Sequence, residues 1–182
     1  MRCSAPAAAP FAEYACGRAD TLAPKPANLS FQQAAGVPVS GCTALRALRD
    51  AGGIQAGQAV LITGASGGVG TFAVQLAKMF GAHVTGVCRT TKVDLVRSIG
   101  ADHVIDYTRE DFADGAQRFD LILDMAGRRS LSQLRRALTP PGHARDRRRR
   151  RGRAVDRRLR SPTPRGSAVT VRGSSAAPPV VG

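Results

Sequence analysis

The chain has 182 residues and a formal net charge of +14, enough for one domain with at most pieces of a second. The charge is uneven: residues 1–142 carry a net of +4 and residues 143–182 a net of +10, so an ordinary folding sequence precedes a basic tail. Four scattered cysteines without C-x-x-C spacing argue against a zinc knuckle or a disulfide framework; there is no apolar run of membrane-spanning length and no signal-peptide core, so the expected location is the cytoplasm.

Residues 11–30, rich in Ala and Pro, read as extended connecting chain. Ser30 and Gln33 have the spacing of a capping box for a short helix ending near Gly36. Residues 40–53 predict a helix stopped by Gly52 and Gly53. Cys42 in this helix and Cys88 further on sit among apolar residues and are expected to be small buried hydrophobes. Val60, Leu61 and Ile62 form a continuous apolar run, the pattern of a strand buried on both faces. Val69, Phe72, Ala73, Leu76 and Phe80 then recur at helical spacing up to Gly81.

The alternation continues with a strand at 83–88 and a helix at 90–100, with Thr91 and Asp94 spaced as its capping pair. A short strand follows at 103–107, a fourth at 119–127, and a helix at 130–138 capped by Ser130 and Gln133. Strands alternating with helices in this way predict right-handed crossovers and a doubly wound parallel sheet, an α/β partial Rossmann fold. The tail from 142 to 182, made of Arg, Ser, Pro, Gly and Ala, cannot bury a core and is expected to be disordered.

The chemistry-bearing stretch is the first strand-to-helix turn, Ala65-Ser66-Gly67-Gly68-Val69-Gly70. It reads A-x-G-x-x-G between a buried strand and an amphipathic helix, the context a dinucleotide fingerprint requires. Gly67 lets the backbone approach a pyrophosphate, Gly70 lets helix pack on strand, and the amides of Gly68 and Val69 aim at the anion. The competing reading is a strand–helix turn that binds nothing. NAD readers place a carboxylate at the end of the second strand. Here no acidic residue lies between His83 and Val93, while Arg89 and Lys92 do. Two cations would attract a 2′-phosphate, which favours NADPH over NADH; the alternative is that both belong to a solvated helix start. No cluster of Cys and His supports zinc, His83, His103 and His143 are scattered, and no side chain is assigned as catalytic. Asp124, at a strand end, is read as a loop or capping residue.

The segments FAEYA, LAPKPANLSFQQAAGVPVSGCTALRAL, GQAVLITGASGGVGTFAVQLAKMFGAHVTGV and GADHVIDY resemble the medium-chain dehydrogenase/reductase superfamily, in particular its zinc-independent quinone oxidoreductase-like members. The likeness runs from about Phe11 to Pro141. It implies NADPH-dependent reduction of quinones or other electron-poor carbonyl or enone substrates, a GroES-like substrate domain, and often a homodimer. By position it implies Ser66, Gly67, Gly68 and Val69 around the pyrophosphate, Lys92 and less surely Arg89 at the 2′-phosphate, Tyr107 on the adenosine side, Thr43 near the nicotinamide, and Asp124 to Gly127 as the loop beyond the fourth strand. The expected organisation is a remnant of the substrate domain over 1–39, a partial dinucleotide-binding domain over 40–141, and the tail from 142.

After Pro141 the family pattern gives way to HARDRRRRRGRAVDRRLR, ten arginines in eighteen residues. Codons compatible with His143–Arg149, read one nucleotide later, encode Thr-Leu-Val-Ile-Val-Gly, the strand the resemblance places there. The tail is therefore expected to be out-of-frame sequence and the chain an incomplete oxidoreductase. The rival readings are a cofactor-binding fragment without catalysis, and an arm holding nucleic acid without sequence preference, since the tail has no aromatic residue to stack on bases.

Overall fold

The computed structural model describes residues 3–4, 20, 22–113, 117–139 and 169–172. Strand β1 (Cys3–Ser4) pairs antiparallel with β2 (Ala23–Pro24). Helix α1 (Phe31–Ala35) starts in the expected capping box, with the Ser30 hydroxyl accepting from the Gln33 amide and the Gln33 side chain accepting from the Ser30 amide. Helix α2 (Val37–Leu45) begins three residues earlier than the spacing predicts, because Pro38 sits in its first turn where no amide is needed. It runs on into a π-helical turn over Arg46–Ala51.

The main sheet follows as β3 (Ala59–Thr63), β4 (His83–Cys88), β5 (His103–Asp106), β6 (Leu121–Asp124) and β7 (Val169–Arg172), in the spatial order β5-β4-β3-β6-β7. The first four strands are mutually parallel, with Val60 opposite both Val84 and Leu121. Helix α3 (Gly68–Met79) connects β3 to β4. A 3₁₀ turn (Thr90–Lys92) and α4 (Val93–Ser98) connect β4 to β5, and α5 (Leu131–Ala137) follows β6.

The apolar run in β3 is explained by two cores. Val60 and Ile62 face one cluster with Ala73, Val74, Ala77, Leu121 and Leu123, while Leu61 faces the other with Ile122, Phe119 and Leu134. Successive strand residues point to opposite faces, so a strand covered on both sides must be apolar throughout.

Four expectations are corrected. Thr91 does not cap α4: the segment opens as a 3₁₀ turn, and no side chain bonds the first amides of α4. The fourth strand is shorter than 119–127, because the chain leaves the ladder after Asp124 and Phe119 makes only an isolated bridge to Leu138. Cys88 is buried but Cys42 is exposed, since it falls on the same outer face of α2 as exposed Val39. In the tail, Val169–Arg172 form a strand antiparallel to β6, with Ile122 opposite Val171. The arginine run and its reading-frame account lie outside the described residues.

Candidate dinucleotide cleft

In an open α/β sheet, ligands bind beyond the carboxyl ends of the strands, where the strand order reverses. Here the chain steps outward from β3 through β4 to β5, then crosses back to β6 on the other side of β3. A cleft of about 710 Å³ opens at that place. It is lined by Ser66, Gly67, Gly68, Val69 and Gly70 from the β3–α3 turn, by Arg89 at the end of β4, and by Tyr107 after β5. Met125, Ala126, Arg128 and Arg129 line it from the loop after β6.

The turn is built to present amides. Its left-handed residue is Gly64, at φ +66°, so Ala65 at the first motif position carries no such demand and is fully buried. A Cβ on Gly70 would lie 2.1 Å from the Gly64 carbonyl oxygen, so this glycine lets α3 sit against the turn. Gly67 is exposed in the cleft, and a Cβ there would meet nothing closer than the Gly64 oxygen at 3.3 Å. No side chain caps α3, so its first amides are left for an anion at the positive end of the helix dipole. These features fit a dinucleotide pyrophosphate.

Opposite the turn, Asp124 is buried, and its Oδ1 takes several hydrogen bonds. It accepts from the Thr63 hydroxyl at 2.5 Å and from the amides of Ala126 and Gly127 at 3.2 and 3.1 Å. The Thr63 oxygen in turn accepts from the Met125 and Ala126 amides. Asp124 is thus a loop anchor, as expected, and it fixes the β6–α5 loop against β3.

The nearest carboxylate to the β4 end is Asp106, which periodicity did not single out. It accepts from Thr90 Oγ1 at 2.5 Å and Thr108 Oγ1 at 2.7 Å, with Arg109 3.7 Å away. The Thr90 bond first, then those from Thr108 and the Arg109 charge, hold its carboxyl below the usual range against the opposing effect of burial. Because these donors consume its oxygens, Asp106 stabilises the turn that carries Arg89. Burial, reinforced by the Asp106 charge, pushes the Cys88 thiol up, so this cleft residue has no thiolate character.

Of the sequence-predicted residues, the cleft gathers Ser66, Gly67, Gly68, Val69, Gly70, Arg89 and Tyr107. Lys92 and Thr43 are not in its lining. The Thr43 hydroxyl donates to Val39 O within α2. Sequence reasoning missed Arg128, whose guanidinium lies 6.0 Å from the Tyr107 ring centre, and Arg129, which lies 5.5 Å from that of Phe112. The only signal for them was two consecutive arginines just after a strand end. Among the described residues no three of His, Cys, Asp and Glu come together in a group that could hold a metal ion. No described helix is long and apolar enough to cross a membrane.

Fold and cleft define a Rossmann-like α/β unit with an open cleft at the strand-order reversal. The family described as "Zinc-binding dehydrogenase" matches residues 68–144. A 2-methylene-furan-3-one reductase of Solanum lycopersicum is 40% identical over 144 residues, covering 72% of this chain and 37% of the relative. The mitochondrial NAD(P)H oxidoreductase RTN4IP1 of Homo sapiens is 43% identical over 122 residues, covering 63% and 31%. Among solved structures, a quinone oxidoreductase from Coxiella burnetii superposes with a TM-score of 0.59 at 39% identity, covering 63% of this chain and 36% of that one. These matches make the chain similar to the quinone oxidoreductase-like members of the medium-chain dehydrogenase/reductase superfamily. It spans little more than a third of the length of the reductase relative.

Proposed function

We propose that this chain carries the NADPH-binding unit of a zinc-independent oxidoreductase that reduces quinones or other electron-poor carbonyl or enone compounds. The observation that carries the reading is the uncapped start of α3 opening into the cleft at the strand-order reversal. The names of the relatives, which include quinone, furanone and alkenal reductases, support the substrate class. Residues 40–141 are assigned to the dinucleotide-binding unit and 1–39 to a segment belonging with a substrate domain. The oligomer expected from the family is a homodimer.

In this reading the amides of Gly67, Gly68, Val69 and Gly70, with the Ser66 hydroxyl, hold the pyrophosphate, and Gly67 keeps that seat clear. Arg89 faces the 2′-phosphate from the cleft wall; Lys92 adds attraction from the next turn. Tyr107 flanks the adenosine, and Thr43 is assigned to the nicotinamide side. The dinucleotide supplies the hydride, and the protein supplies position and electrostatics. No residue is assigned as a catalytic acid or base.

Titrating the chain with NADPH and NADH tests this. Tighter NADPH binding is expected, selectively weakened by Arg89→Ala with Lys92→Ala. Equal affinities overturn the NADPH assignment, and no binding of either overturns the dinucleotide reading.

A further inference from the structure

We propose that the ion pair between Arg129 and Asp111 is a clasp that shapes the adenosine end of the cleft, making both of them positioning residues for that half of the cofactor. The inference rests on the dinucleotide reading above but concerns residues that reading does not use. Arg129 Nη2 lies 3.0 Å from Asp111 Oδ1, joining the loop after β6 to the chain after β5. These are separate segments, and each carries one side of the same cleft: Tyr107 on one, Arg128 on the other.

The clasp has an apolar half as well. The Arg129 guanidinium lies 5.5 Å from the Phe112 ring centre, and Phe112 is 7% exposed within the core cluster of Val87, Phe119 and Ile122. Phe112 also lines the cleft. Arg129 is therefore held by a carboxylate and a packed ring, while its neighbour Arg128 has no ion-pair partner among the described residues and rests over the half-exposed Tyr107. Fixing Arg129 fixes the backbone that presents Arg128, so the spacing between the Arg128 and Tyr107 walls depends on the clasp. A flat, electron-rich ring is the chemistry that a guanidinium and a tyrosine bracket well. Between the two halves of the dinucleotide, the glycine turn that seats the pyrophosphate is built by Gly64 and Gly70 and does not involve the clasp.

The test uses the full chain with AMP and nicotinamide mononucleotide as separate probes of the two halves. Arg129→Gln and Asp111→Asn should each weaken AMP roughly two- to fivefold, the worth of a partly exposed ion pair, and leave nicotinamide mononucleotide unchanged. The charge swap Arg129→Asp with Asp111→Arg should recover AMP affinity, which a merely structural role for either side chain would not produce. Both residues are partly exposed, 30% and 47%, so the neutral variants retain the fold, and a thermal melt verifies it. Unchanged AMP affinity in the single variants, or equal loss for both probes, overturns the clasp while NADPH binding by the parent chain leaves the dinucleotide reading standing. Absence of NADPH and AMP binding in the parent chain overturns both.

Discussion

Gly67 and Gly70 lie in one turn, and a methyl group should harm each in a different way. At Gly70 the added carbon would sit 2.1 Å from the Gly64 oxygen and 2.8 Å from Ala65 Cα, both backbone atoms with little room to move. Gly70→Ala should cost about 3 kcal/mol or more in a urea titration and remove cofactor binding with the fold. Gly67 has φ −81° and ψ 170°, a conformation alanine adopts freely, and its nearest neighbour is 3.3 Å away. Gly67→Ala should cost less than about 1 kcal/mol but weaken NADPH at least roughly tenfold, because the methyl occupies the pyrophosphate seat. Equal stability losses in the two variants would show that the glycines do one job. The motif spacing made these two positions legible. It could not show that the left-handed residue is Gly64, one place before the motif, since φ leaves no mark on a sequence where several glycines are adjacent. Asp106 was illegible for another reason: it sits in an ordinary strand, and its donors Thr90 and Thr108 come from different loops. Its folded pKa lies below the unfolded value, so its stabilisation is present above the unfolded pKa of about 4 and is lost as pH falls through the folded pKa. Asp106→Asn should therefore be less stable than the parent at neutral pH and converge with it as pH falls through the lowered folded pKa, read from urea midpoints across the acid range. A constant difference at every pH would assign the bonds no dependence on charge.

Among the elements, the β3–α3–β4 unit was readable because its periodicity and tertiary packing agree. The run from Val60 to Ile62 must be apolar to serve two cores, and Ala73, Val74 and Ala77 fall on one face of α3. The start of α4 was misread because Thr91 and Asp94 have the right spacing but the tertiary bond between Thr90 and Asp106 favours a tighter first turn. The β6–α5 loop shows the same dependence on distant partners. Its anchor is Thr63, sixty-one residues before Asp124, and a single hydroxyl donates to the carboxylate while accepting two amides. Thr63→Val keeps the shape and removes all three bonds, taking the hydroxyl from the Met125 amide and leaving the Asp124 carboxylate held by the Ala126 and Gly127 amides alone. The expected loss is about 1–3 kcal/mol, with faster hydrogen exchange at Ala126 and Gly127 than elsewhere in the sheet. Uniform exchange across the sheet would mean that Thr63 supports the core rather than the loop.

At the scale of the whole molecule, two features are set by the tail rather than by the domain. Composition predicted no regular structure there, yet Val169–Arg172 pair with the outer edge of β6. A four-residue segment amid Arg, Pro and Gly gives too short a pattern to read, and it gains its conformation from the apolar edge it covers. Such an edge left open pairs with other chains, so a chain ending at 168 should aggregate faster than the parent by light scattering, with no faster aggregation meaning that the edge is otherwise protected. The second feature is charge. The ten arginines between 143 and 160 dominate the net charge, and clustered cations bind polyanions by releasing condensed counterions, with an affinity that falls steeply as salt rises. In the proposed reading the cleft holds a dinucleotide by local, oriented amides and a few side chains, so its affinity should depend much less on salt. Replacing those ten arginines with serine should abolish most retention on heparin and on DNA of any sequence, while the NADPH titration at physiological salt stays within about twofold of the parent. The two binding modes would then be separable in one chain, the tail acting as a polyelectrolyte and the cleft as a shaped site. A parallel loss of NADPH and heparin binding would instead make the arginine run the source of the apparent cofactor affinity, and the case for a specific cleft would fail.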